Sequence, residues 1–129
     1  MMELTINGQV YQFNFGMGFL REANKLVTEK VNASSDRKKN VGATYLIAGV
    51  MDKDPEDLVT LLDIANKGQN PRATTALLDS YVDDSDTDID QLFEDTLDFL
   101  RRVNATKSIV ANLQKRIEEA KAKQEAQNS

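Results

Sequence analysis

A chain of 129 residues with neither cysteine nor histidine is sized for one domain and has little equipment for chemistry. Without cysteine there are no disulfides, thiolate metal sites or thiol nucleophiles; without histidine the usual general base and the commonest metal ligand are gone. The net charge of −5 is unevenly spread: residues 1–51 carry six Lys/Arg against four Asp/Glu, residues 52–98 three against fourteen, and residues 99–129 seven against three.

An enzyme is therefore not expected, nor a cofactor. An acidic middle between mildly basic ends argues against a binder of nucleic-acid backbones and suits contact with a basic protein surface. No charged leader followed by an apolar stretch opens the chain, and no apolar run approaches the ~18 residues of a membrane span. A protein of the cytoplasm with no membrane contact is the expectation.

The first element is read from "LTINGQVYQFNF". Leu4, Ile6, Val10, Phe13 and Phe15 sit among polar residues around Asn7-Gly8, the strongest short hairpin signal because a type I′ turn needs positive φ at both central positions. Two strands alone are marginal in water, so this hairpin must pack on helices. "GMGFLREANKLVTEK" follows with Phe19, Leu20, Ala23, Leu26 and Val27 on a helical stripe. Its "GMG" opening lacks the third glycine of a dinucleotide fingerprint, since Arg21 stands there.

A polar, basic loop, "NASSDRKKN", whose "DRKK" is read as solvated, leads to "VGATYLIAGVM". A segment apolar nearly all round is either a central buried helix or a surface kept for a partner, and core is preferred. "DKDPEDLVTLLDIANKG" carries clear boundary signals: Asp54 as N-cap, Pro55 in the first turn, Asp57 three residues after the cap, Gly68 past the end. Leu58, Leu61, Leu62 and Ala65 form its buried face. In "NPRATTALLDSYVDD" Asn70 and Pro71 repeat the start device, with Leu77, Leu78, Tyr81 and Val82 facing inward.

"DDSDTDID" is the densest charge in the chain, and Asp84, Asp86 and Asp88 alternate like the opening of a calcium loop. Such a loop turns on glycine at its sixth position and closes with a bidentate glutamate at its twelfth. Here those positions hold Ile89 and Asp95, and a β-branched side chain is costly in a left-handed conformation. Asp86 or Asp88 is read instead as the N-cap of the helix "IDQLFEDTLDFLRRV", whose acidic start and Arg101-Arg102 end complement the helix dipole. No metal site is assigned, and a calcium-responsive regulator remains only a minor alternative. Ile89, Leu92, Phe93, Leu97 and Leu100 should be buried in this helix.

The last helix is expected to be capped by Asn104, with Val110, Leu113, Ile117 and Ala120 at heptad spacing before the stripe gives out. These residues either complete the core or form an arm for a helical partner, so Val110, Leu113 and Ile117 are the candidate partner-binding residues. Residues 1–120 should make one domain and residues 121–129 a polar, mobile tail. The fold class expected is mainly α (α+β), an N-terminal β-hairpin packed on a bundle of about five to six helices.

With the elements in place, "NFGMGFLREANKL", "DIDQLFEDTLDFLRR" and the following "NATK" together resemble the tail assembly chaperones encoded by siphophages and prophages of Gram-positive bacteria, above all over residues 2–30 and 88–107. The resemblance implies a non-enzymatic protein of the host bacterial cytoplasm. It would bind the phage tape measure protein, assist polymerisation of the major tail protein, and leave before the virion is complete. In many such phages a programmed frameshift appends a second domain, and "EEAKAKQEAQNS" is where either variation or a frameshift junction is expected. Another small acidic morphogenesis factor or adaptor is the alternative, and a second copy of the chain is a further candidate partner.

Overall fold

Asn7 and Gly8 both take positive φ, 52° and 78°, and so bring strand β1 (Met2–Ile6) back on β2 (Gln9–Phe13). The computed structural model describes residues 1–34 and 36–128. Ser35 of the basic loop and Ser129 of the expected tail lie outside the described residues. The register pairs Met2 with Phe13 and Leu4 with Tyr11, so one face of the ribbon is apolar and packs inward. Val10 does not belong to it. It stands opposite Thr5 on the other face and is 43% exposed, because the period of two that buries Phe13 turns Val10 outward. Beyond the strand, Phe15 and Phe19 are both buried and meet edge to face, with ring centroids 5.3 Å apart.

Helix α1 spans Met17–Asn24 and stops short of the expected stripe. Leu26 is exposed and Val27 only half-buried. The chain instead turns into β3 (Thr28–Lys30), which pairs antiparallel with β4 (Lys38–Asn40). This second hairpin, unforeseen from the sequence, is held locally: Val31 N–H donates to Arg37 O, Val41 N–H to Val27 O, and Thr28 Oγ1 to Asn40 Oδ1. Its strands bury no side chain, so neither carries an apolar alternation that would announce it.

Helix α2 (Gly42–Met51) buries Ala43, Leu46, Ile47 and Val50, the core role preferred for this segment. A β-carbon on Gly42 would run into the Ala23 carbonyl oxygen, so the absent side chain is what lets α2 start against the end of α1. The first turn of α2 has no cap of its own, and the Asn24 side chain, accepting from Ala43 N–H at 3.1 Å, supplies one from α1.

Helix α3 (Pro55–Asn66) is the central element, touching β2, α1, α2 and α4. Asp54 accepts from Glu56 N–H at 2.9 Å and, at 3.4 Å, from Asp57 N–H. Gly68 takes φ 82° just past the helix end. Both are as the sequence predicts. Helix α4 (Thr75–Asp83) starts later than expected, capped by Thr74 rather than Asn70. The reason is Asn66, fully buried at the end of α3. Its Oδ1 accepts from Ala73 N–H (2.6 Å) and Arg72 Nη1 (2.9 Å), while its Nδ2 donates to Gln12 O (2.9 Å). The Ala73 amide is thus held on α3, and a helix running through Pro71 would have carried it away.

Helix α5 (Ile89–Arg102) is capped by Asp88, which accepts from Gln91 N–H at 3.1 Å. Leu92, Phe93, Leu97 and Leu100 are buried, whereas Ile89, like Leu77, Tyr81 and Val82 of α4, is only half-buried. Helix α6 (Lys107–Asn128) begins after Thr106, not at Asn104. Asn104 is exposed; Thr106 is fully buried and its hydroxyl donates to Leu100 O at 2.6 Å, fastening the α5–α6 corner. The fold is mainly α with an N-terminal hairpin, and the described residues form six helices.

Two stability measurements test this account. Asn66→Ala strips partners from the buried Ala73 N–H and the part-buried Gln12 carbonyl, at ~1–3 kcal/mol for a fully buried group, so urea unfolding should show a loss of about 2–4 kcal/mol. Asp88→Ala should lose ~0.5–2 kcal/mol as a removed N-cap, while Asp86→Ala should stay within ~0.5 kcal/mol of the parent, as surface changes usually do.

Candidate functional site

The stripe on α6 passes from core to solvent over two turns. Val110 is 3% exposed, Leu113 is half-buried, and Ile117 is 39% exposed. All described residues from Gln114 onward are exposed, including the helical stretch 121–128 of the expected tail. The gradient follows from where α6 finds neighbours, since its packing partners are α5 and α2.

Where α6 leaves the body, a groove of about 490 Å³ opens beside it. One wall is α2, through Ala48, Gly49 and Met51; the other is α6, through Leu113, Ile117 and Ala120. Ala48, Leu113 and Arg116 also border a second, adjoining hollow of about 400 Å³ that reaches Tyr45 and the β3–β4 hairpin. There the Tyr45 hydroxyl donates to Glu29, which pushes the phenol's pKa above its ordinary value. The candidate residues Val110, Leu113 and Ile117 are thus split: Val110 belongs to the core, Leu113 joins core to groove, and Ile117 faces the groove. The opposite wall belongs to the segment for which core is preferred over a partner surface, because the apolar residues of α2 run nearly all round it and mark no outer face.

The rim is acidic. Asp52, Asp54 and Asp57 line the α2–α3 corner, with Arg116 on the α6 side. None of the three carboxylates takes part in the ion pairs among the described residues, and the nearby Lys53 pairs with Asp90 at 3.3 Å. A β-carbon on Gly49 would overlap the Asp57 carboxylate, so glycine there is what allows this side chain to lie on α2. Burial, then the charges of Asp54 and Glu56, raise the Asp57 pKa above its ordinary 3.8.

The acidic stretch has another use. Asp84 Oδ1 accepts from Asp86 N–H at 2.9 Å and Asp88 caps α5, so two of the three alternating carboxylates serve local backbone. Among the described residues no group of three or more His, Cys, Asp or Glu side chains is placed to hold a metal ion, and no helix is long and apolar enough to cross a membrane.

An N-terminal hairpin run into α1, a buried α2, and an acidic α5 turning through Thr106 into α6 form one continuous pattern. Residues 3–115 match the model of a family described as phage tail assembly chaperone protein, TAC. The chain belongs to the phage tail assembly chaperone family. No curated protein and no solved structure matches it. The chaperone's family is non-catalytic in general and implies phage tail proteins as partners. The matched span ends inside α6, between Leu113 and Ile117, so it includes the α2 wall of the groove and only the first half of the α6 wall.

The raised Asp57 pKa makes a signed prediction. Its proton is held more tightly in the folded chain, so ionisation costs stability; the cost is absent below the ordinary 3.8 and complete above the folded value. The melting temperature of Asp57→Asn relative to the parent should therefore rise as pH increases from about 3 to 6. Thermal melts across that range check it, and a difference that is flat or falls would show that the carboxylate is compensated.

Proposed function

We propose that this chaperone binds the tape measure protein of its phage in the host cytoplasm, assists the major tail protein in polymerising around it, and is not retained in the mature virion. The family match supports the assembly role. The observation that carries the binding reading is the emergence of the α6 stripe from the core at Leu113 and Ile117, opposite an apolar α2 wall. Tape measure proteins are long helical chains, and an amphipathic helix laid in an apolar groove is a common way to cover such a surface. With neither histidine nor cysteine in the chain, binding rather than catalysis is the work these residues suit.

Co-expression with the tape measure protein encoded alongside it provides the test. The parent should capture that protein from solution. Ile117→Asp should keep the parent's melt, because Ile117 already meets water, yet weaken capture by about tenfold, the scale of an interface residue worth ~1.4 kcal/mol. Failure of the parent to capture would overturn the reading; undiminished capture by Ile117→Asp would move the contact off α6.

A further inference from the structure

We propose that the α2–α6 groove is built for a cationic amphipathic helix, one that seats an apolar stripe between Met51 and Ile117 and sets a lysine or arginine against Asp52 and Asp57. This rests on the chaperone reading and deepens it by giving the partner segment a charge and a periodicity.

The walls dictate the form of the occupant. Both are helices, and the α6 wall presents Leu113, Ile117 and Ala120, spaced four and three residues apart over ~10 Å of helix. A helix with anchors at i, i+3 or i+4, and i+7 repeats that spacing. A groove of about 490 Å³ has room for a few apolar side chains. The backbone of a helical occupant would satisfy its own hydrogen bonds, which matters because the walls of Ala48, Met51 and Leu113 offer no side-chain partners.

The rim dictates the charge. Three carboxylates stand at the corner against one guanidinium, Arg116, and none is ion-paired among the described residues. Burial first, and then the negative charges of Asp54 and Glu56, hold the Asp57 pKa above its ordinary value, so the ionised carboxylate at this corner is short of a compensating charge. A cation from a partner supplies one, and an acidic helix of identical apolar pattern is repelled. A second copy's α6 is a poorer occupant: beyond Ile117 its small side chains are alanines, which give little apolar area to bury.

Two synthetic peptides of about 14 residues separate these requirements, both with leucine at helical spacing, one lysine-rich and one glutamate-rich. Binding to the full chain is followed by fluorescence anisotropy at ~0.15 M salt, where long-range attraction is screened. The lysine peptide should bind at least about tenfold more tightly than the glutamate peptide. Ile117→Asp should weaken the lysine peptide by about tenfold, and the double variant Asp52→Asn/Asp57→Asn by about threefold to tenfold. Asp84→Asn/Asp86→Asn, which removes equal charge outside the groove, should change nothing. Circular dichroism melts confirm that each variant is folded.

Equal binding of the two peptides, or equal loss from the two acidic double variants, would overturn the inference in favour of unspecific attraction. So would a dimer in sedimentation that Ile117→Asp abolishes, since the groove would then belong to a second copy. If the peptide pattern fails while the parent captures the tape measure protein, only this inference falls. If the pattern holds while capture fails, the groove stands and the proposed partner is wrong.

Discussion

Asn66 has no exposed surface and spends both ends of its amide on backbone from elsewhere, the end of the first hairpin on one side and the approach to α4 on the other. Buried amides need partners, and here they lie seven and 54 residues away in the chain. Together with Asn14 N–H, which donates to Ala65 O at 2.8 Å, this side chain ties the end of the β-ribbon to α3, and it holds the Ala73 amide just ahead of α4. Arg72 completes the junction, reaching Asn66 Oδ1 and also Asp63 at 2.8 Å. No buried side-chain nitrogen or oxygen among the described residues lacks a partner.

Around that anchor, close approaches at glycine position the rest. Gly42 brings α2 against the end of α1, and Gly49 lets Asp57 lie on α2. The two contacts hold α2 at both ends, so its outer face becomes a fixed wall. α6 is tied differently, through Thr106 to Leu100 and through Val110 in the core. The groove between them lies in the middle of α6, a 22-residue helix of ~33 Å, where its stripe passes from buried Val110 through half-buried Leu113 to exposed Ile117.

A phage tail assembly chaperone needs surfaces rather than chemistry, and the division of charge in this chain suits that need. Acidic side chains are concentrated on α3 to α5 and at the α2–α3 corner, while α6 and the second hairpin carry most of the lysines and arginines. Carboxylates that cap α3 and α5 stabilise helix starts, and one of them, Asp54, also stands at the groove rim beside Asp52 and Asp57. In the proposed reading those rim charges are what a cationic partner would neutralise.

Several features settled within a few residues were legible in the sequence by itself, although the start of α6 after Thr106 rather than at Asn104 was not. Asn7-Gly8 required its turn, Asp54-Pro55 and Asp88 their helix starts, Gly68 a helix end, and the apolar spacing of α3 and α5 their buried faces. The calcium-loop appearance of Asp84, Asp86 and Asp88 is weighed against Ile89 and Asp95, and the structure gives Asp84 and Asp88 local backbone partners. Tertiary structure decided the rest because the deciding partner is remote or the pattern is ambiguous. Val10 and Phe13 are both apolar and only strand pairing shows which faces in. Leu26 and Val27 fit a helical stripe, but the chain leaves the helix to pair Thr28–Lys30 with Lys38–Asn40. Thr74 caps α4 in place of Asn70 because Asn66 holds Ala73. Val110, Leu113 and Ile117 were legible as one apolar stripe, yet spacing along a helix is silent on where its neighbours stop. Only the packing of α6 on α5 and α2 makes the first of them core and the last a wall.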